Sequence, residues 1–390
     1  MDRIKSEEMI PVNPNLELAQ YHFLLSHTEY DPLLKNSIKT KLMEIIEQKE
    51  MGKYYESVCS DLCIPVDTEL LNRLKEANRV KLEQLDAAIE DASKNLGESE
   101  VRDAYQKKAE YLCSIGDKDA CLETFQIAFE KAVGVGNRID IVFHQIRIGF
   151  FYMNHKLIKS QLALAKELME QGGDWDRKNR LKAYEGYYAL VRRDYHRASE
   201  LLLDAVSTFT SYELISFEKL VFYAIVAAMI ALERNDLRDK VIKSAEIREQ
   251  LYGQADVRQF LMSLYECDYA GFFRSLADLE PKLKFDRVFA QHYSQYLRFM
   301  RAKAYKQLLS SYRSLTLQYM ADAFGVTSEM IANELHQFIT NGMLHCKIDD
   351  VLGIVETSQM NKKNIMYKSL VKEGDILLNR IQKLSRIINT

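Results

Sequence analysis

Of 390 residues, 47% are hydrophobic and 28% charged, enough apolar material for two or three packed domains and too much for wholesale disorder. The 53 basic and 56 acidic side chains leave a net charge of only −3, so no global field draws the chain to nucleic acid or a membrane surface. There are five prolines, none between Pro65 and Pro281, and 15 glycines; proline breaks a helical ladder and glycine weakens one, so the chain is read as all-α.

The N-terminal stretch MDRIKSEEMIPVNPNLELAQ has no apolar core to serve as a secretory signal. Six unevenly spaced cysteines suit a reducing compartment better than a disulfide framework. A soluble, intracellular protein is expected. Residues 1–65 hold four of the five prolines and are read as an N-terminal segment with short helices at Leu16–Ser26 and Leu33–Glu50. From Asp67, residues Leu71, Leu74, Leu82, Leu85, Ile89, Ala92 and Leu96 recur at three- or four-residue steps between charges. That spacing predicts one long amphipathic helix, capped at its C-terminus by Gly97.

Residues 66–210 then repeat. Counting from Asp117, offsets of 4, 8 and 11 give Cys121, Phe125 and Ala128. The same offsets give Ile158, Leu162 and Ala165 from Asn154, and Ala198, Leu202 and Ala205 from Asp194. From Asp268 they give Phe272, Leu276 and Leu279. The first three starts each follow an apolar helix (Ala104–Ile115, Ile139–Met153, Leu181–Val191). These are degenerate tetratricopeptide-like hairpins, which bury their apolar faces by stacking on sequence neighbours into a solenoid. Residues 211–310 continue the helices. Within them LVFYAIVAAMIAL, Leu220–Leu232, is shorter than the ~20 residues a membrane span needs and reads as a helix buried on all sides.

Residues 311–358 read as a winged helix: helix Leu315–Phe324, turn Gly325-Val326, helix Ser328–Asn341 capped by Thr327 or Ser328, then β segments Met343–Ile348 and Leu352–Glu356. Its charge opposes DNA. Only Arg313 and Lys347 are basic, against Asp322, Glu329, Glu334, Asp349, Asp350 and Glu356, whereas phosphate contacts come largely from Lys and Arg. Protein contact is the better reading. Residues 361–390 form a last helix, Ile365–Asn389, with seven basic and two acidic side chains. Leu370, Gly374, Leu377, Ile381, Leu384 and Ile388 make a heptad seam widened by Leu378 and Ile387, which suits a helix bundle. An RNA-gripping tail and a helix folded back on its own solenoid are the rivals.

No catalytic, cofactor-binding or metal-binding residue is assigned. Gly134-x-Gly136 lies between helices, without the strand a dinucleotide fingerprint follows, and Gly52-Lys53 lacks the rest of a phosphate loop. Cys59 and Cys63 have no second pair to complete a zinc site. Trp175, the single tryptophan, is read as a packing anchor.

Six stretches carry a resemblance: KNLGESEVRDA, GGDWDRKNRLKAYEG, DAVSTFTSYEL, SYRSLTLQYMADAFGV, LHCKID and GDILLNRIQKLSRIIN. In order and spacing they resemble the PCI-domain subunits of the proteasome regulatory-particle lid, from about residue 10 to the end. The resemblance makes residues 211–310 the helical part of the PCI domain. It implies a scaffold without cofactors that supports ATP-dependent degradation of ubiquitinated proteins. PCI domains of that family assemble edge to edge, and their terminal helices gather in a bundle. A short wing strand such as Leu352–Glu356 leaves an edge that can pair with a neighbour; Leu344, Ile348, Leu352, Ile354 and Val355 would then serve the first contact, and Leu370, Leu377, Ile381, Leu384 and Ile388 the second. The implied partners are other lid PCI subunits (non-ATPase subunits 3 and 11 as neighbours), a small acidic lid protein and the ATPase ring, with no nucleic acid or membrane. The implied location is cytoplasm and nucleus. A PCI scaffold like signalosome subunit 1, or a PCI protein binding RNA in export or translation initiation, is the alternative.

Overall fold

A computed structural model describes residues 13–95, 97–357 and 362–388. The chain divides into two compact units, Met1–Leu261 with Ala277–Tyr296, and Met262–Leu276 with Leu297–Thr390. Helices dominate, in this order: α1 (Leu16–Ser26), α2 (Pro32–Gln48), α3 (Gly52–Asp61), α4 (Thr68–Asn95), α5 (Glu98–Ile115) and α6 (Lys118–Lys131). Next come α7 (Val135–Tyr152), α8 (His155–Gly172), α9 (Trp175–Val191), α10 (Tyr195–Val206), α11 (Phe217–Ala231) and α12 (Arg234–Leu237), which runs into a π-turn. Then follow α13 (Ala245–Gly253), α14 (Ala255–Glu266), α15 (Tyr269–Lys284) and α16 (Tyr293–Leu309).

The repeat offsets read from the sequence are core positions. Cys121, Phe125, Ala128, Ile158, Leu162, Ala165, Ala198, Leu202, Ala205, Phe272, Leu276 and Leu279 are all buried. One turn chemistry serves all four hairpins. Gly116, Met153, Arg193 and Cys267 end their helices in the left-handed region, at φ of 85°, 52°, 64° and 66°. The next amide reaches back to a carbonyl one turn earlier: Asp117 to Leu112 (3.1 Å), and Asn154 to Gly149, Asp194 to Ala189 and Asp268 to Ser263 (each 2.9 Å). Three of these residues then cap the following helix through a side-chain oxygen that accepts the amide of Leu157, Arg197 or Gly271. Asp117 instead forms an ion pair with Lys53. Glycine is needed only at the first junction, where a Cβ on Gly116 would sit 2.7 Å from Cβ of Tyr54.

Asp67 starts the long α4 as its cap, accepting from Glu69 (3.0 Å) and Leu70 (3.3 Å). Gly97 is not that helix's C-terminal cap. It is the N-cap of α5 at φ −83°, ψ 172°, and Leu96, the last position of the predicted stripe, lies outside the described residues. Leu220–Met229 of α11 is buried at every position but Phe222. Among the described residues no helix is long and apolar enough to cross a membrane.

The hairpins do not touch sequence neighbours alone. The segment joining α15 to α16 is woven into the first unit by polar contacts that span most of the chain. Gln20 of α1 donates to the Phe285 carbonyl (2.6 Å) and accepts from the Arg287 amide (3.0 Å). The Arg287 guanidinium donates to the carbonyls of Phe150 (3.2 Å) and Phe151 (2.6 Å), the open end of α7. Asp286 accepts from the hydroxyl of Tyr223 and the amide of Val288, both at 2.8 Å. Lys284 pairs with Glu29. Residues 13–65 are thus part of the larger unit's fabric.

Candidate assembly surfaces

The second unit holds the winged helix: β1 (Ser314–Thr316), α17 (Leu317–Phe324), α18 (Ser328–Thr340), β2 (Cys346–Asp349) and β3 (Ile354–Thr357). The first predicted helix begins two residues late. Leu315 is strand, its side chain in the core, because Thr316 is the N-cap of α17 and accepts from the Tyr319 amide (3.2 Å). Thr327 caps α18 through the Met330 amide (3.4 Å). Phe324 anchors the core, with Tyr305, Tyr269 and Phe273 rings 4.7, 4.9 and 4.9 Å away. Glu334, counted among the acidic charges that oppose DNA, points inward. It accepts from the Tyr305 hydroxyl (2.7 Å) and pairs with Arg301 (3.1 Å).

The three strands run antiparallel in the order β1-β3-β2. This overturns the predicted pairing edge, since Leu352–Glu356 was expected to leave β3 open and β3 is central. The three-residue β1, hidden in what reads as helix, occupies that side. Thr357 donates to Arg313 and Leu317 to Gly353, so alternation commits Val355 to β1 and Ile354 and Glu356 to Asp349 and Lys347 of β2. The backbone groups that face outward are those of Cys346 and Ile348 on one edge and Ser314 and Thr316 on the other. Val355 (0% exposed) and Leu344 (5%) belong to this chain's own core and cannot contact a partner. Ile348 and Ile354 are half-buried. Leu352 is not strand at all; it sits in the β2–β3 turn, 68% exposed.

The terminal helix α19 spans Lys362–Ile388. Its seam residues Leu370, Leu377, Ile381, Leu384 and Ile388 are 53–73% exposed, and Met366, Tyr367, Val371, Ile376, Leu378 and Ile387 are exposed beside them. The heptad seam is thus an exposed apolar stripe along the described helix. An exposed contiguous apolar stripe of that length is the mark of an association surface.

The polar clusters are structural. Arg180 forks onto one Glu213 oxygen at 3.0 and 2.8 Å, and the Tyr184 hydroxyl donates to the same atom at 3.1 Å. Arg177 grips Asp140 at 3.1 and 2.8 Å. Carboxylates engaged this way hold helices together. Burial, then Arg147 and Arg180, hold the His144 pKa well below its ordinary value. The Cys121 thiol is pushed up by its hydrogen bond with Cys113 and by burial, which makes it inert. Cys59 is buried and Cys63 exposed; among the described residues no three potential ligands cluster as a metal site. Trp175 is no packing anchor. As the first residue of α9, capped by Asp174, its side chain is 64% exposed. Sequence reasoning missed Gln20, Asp286, Arg287 and Glu213. Only Glu213, a lone carboxylate in the apolar run YELISF, carried a visible signal.

Comparison with known proteins matches three family models along the chain. They are "26S proteasome subunit RPN7" over residues 67–240, "PCI domain" over 276–359, and "26S proteasome regulatory subunit RPN7/PSMD6 C-terminal helix" over 366–388. The 26S proteasome non-ATPase regulatory subunit 6 of Caenorhabditis elegans is 47% identical, the alignment covering 98% of this chain and 95% of the worm protein. Its Arabidopsis thaliana homologue is 42% identical over 96% and 97%. The 26S proteasome regulatory subunit RPN7 of Saccharomyces cerevisiae is 36% identical over 95% and 92%.

Proposed function

Because the chain belongs to the 26S proteasome RPN7 / non-ATPase regulatory subunit 6 family, we propose that it is a non-catalytic scaffold of the regulatory-particle lid, serving ATP-dependent degradation of ubiquitinated proteins in cytoplasm and nucleus. The exposed seam of α19 carries this reading. It is an apolar stripe built for partner helices, on the segment that matches the family's own C-terminal helix. The winged helix would pair with neighbouring PCI subunits through the outward backbone of Ile348 or of Ser314 and Thr316, a strand-addition contact. Non-ATPase subunits 3 and 11, a small acidic lid protein and the ATPase ring are the proposed neighbours. Affinity purification of the tagged full chain from cells, followed by native electrophoresis and mass spectrometry, tests the reading. Lid subunits in stoichiometric yield support it; a chain that migrates alone or with RNA-processing proteins refutes it.

A further inference from the structure

The face that reads DNA in nucleic-acid-binding winged helices is built differently here. Its helix, α18, exposes Glu329, Met330, Asn333, His336, Gln337 and Thr340 and no Lys or Arg. The wing beside it ends in a fixed turn: the Asp349 carboxylate accepts the amides of Val351 (3.0 Å) and Leu352 (3.2 Å), and Gly353 closes the turn at φ +64°. His336 of α18 lies 3.8 Å from Asp350, so helix and wing are neighbours on this face. This turn holds Val351 94% and Leu352 68% exposed. Neither side chain contributes to the unit's core, yet the backbone is organised to present both.

We infer that the wing tip is an anchor, Val351 and Leu352 seated in an apolar pocket rimmed by Lys or Arg on a neighbouring protein subunit. Charge selects that occupant. Asp349 and Asp350 of the wing itself directly precede Val351 and Leu352, so nucleic acid and anionic lipid are repelled and a basic-rimmed protein pocket is attracted. A pair whose backbone is already fixed by its turn loses little main-chain freedom on docking, which suits a hot spot. The contact is separate from the strand edges, because the tip lies beyond the last ladder pair, Asp349↔Ile354.

The inference rests on the lid reading, and a competition experiment separates the two. Full-length wild type and a Val351→Asp/Leu352→Asp variant, differently tagged, are co-expressed, and the complex is captured through a tag on another lid subunit. Peptide mass spectrometry should find the variant depleted about tenfold or more. Asp350→Lys should deplete it in the same direction. Because both side chains are exposed, circular dichroism of the purified variant should match wild type. A photo-reactive benzoyl-phenylalanine at position 351 should cross-link to one other subunit, next to Lys or Arg. Equal incorporation of the variant, or a cross-link to RNA, to lipid or to nothing in the assembled complex, would overturn the anchor while leaving the lid reading intact. Absence of wild type from the complex would remove both.

Discussion

Replacing Ile381 and Leu384 together by Asp tests whether α19 is the assembly handle. These side chains are 53% and 59% exposed in the chain alone, so about half of each remains to be buried by partner helices. Full burial of a Leu or Ile is worth ~1.5–3 kcal/mol, leaving roughly 1–1.5 kcal/mol per residue to be gained on assembly. The substituted carboxylates add the cost of burying two unpaired charges in a bundle, several kcal/mol. The sum, about 5 kcal/mol or more, weakens association by ~10³-fold or more. In the free chain the same change alters only helix propensity, a few tenths of a kcal/mol per site. The expected result is therefore asymmetric. Circular dichroism and thermal unfolding of the isolated variant should match wild type, while co-migration with lid subunits on a native gel should be lost. Asn379→Asp, off the seam on the same helix, should incorporate normally. Normal co-migration of the double variant would refute the bundle role. A global loss of helicity would show instead that α19 belongs to this chain's own core.

Arg287→Ala should destabilise the larger unit by about 2–4 kcal/mol, since two charge-assisted bonds to the end of α7 are lost and only partly offset by sparing the guanidinium its burial; a urea midpoint unchanged from wild type would show that the clasp is incidental. Gly116→Val should cost at least ~2 kcal/mol, because φ of +85° is hostile to a β-branched residue and its Cβ would meet Tyr54 at 2.7 Å; thermal unfolding within a degree of wild type would contradict that. Acid should weaken the fold. His144 and His292 are buried, and burial, then neighbouring arginines, hold both below their ordinary value of 6.5, so the unfolded chain binds more protons than the folded one. Stability should be full above about pH 6.5 and fall as the pH drops below it, and His144→Gln should flatten that slope in urea titrations across pH 7 to 5.

Much of this protein is legible from one-dimensional chemistry because its solenoid is local. A hairpin joins residues within about forty positions of each other, so apolar spacing and capping residues such as Asn154 and Asp194 appear as a repeat before any fold is known. The seam of α19 is legible for the same reason, since helical periodicity alone places Leu377, Ile381, Leu384 and Ile388 on one stripe. The acidic winged helix, with two basic against six acidic side chains, argues against DNA by composition. What tertiary structure decided is whatever depends on distant partners. Only the fold could show that β1 takes the side of β3 expected to be open, since a three-residue strand has too little pattern to distinguish it from the start of a helix. Val355 and Leu344 alternate as wing residues should, but which face meets the core depends on where α17 and α18 pack. Glu334 looks solvent-facing until Arg301 and Tyr305 are placed beneath it, and Trp175, at a helix start, looks like a packing anchor until the fold leaves its side chain in solvent. Gln20 and Arg287 stand 267 positions apart; no local propensity relates them, and their hydrogen bond exists only because the first helix and the α15–α16 segment pack against the same unit.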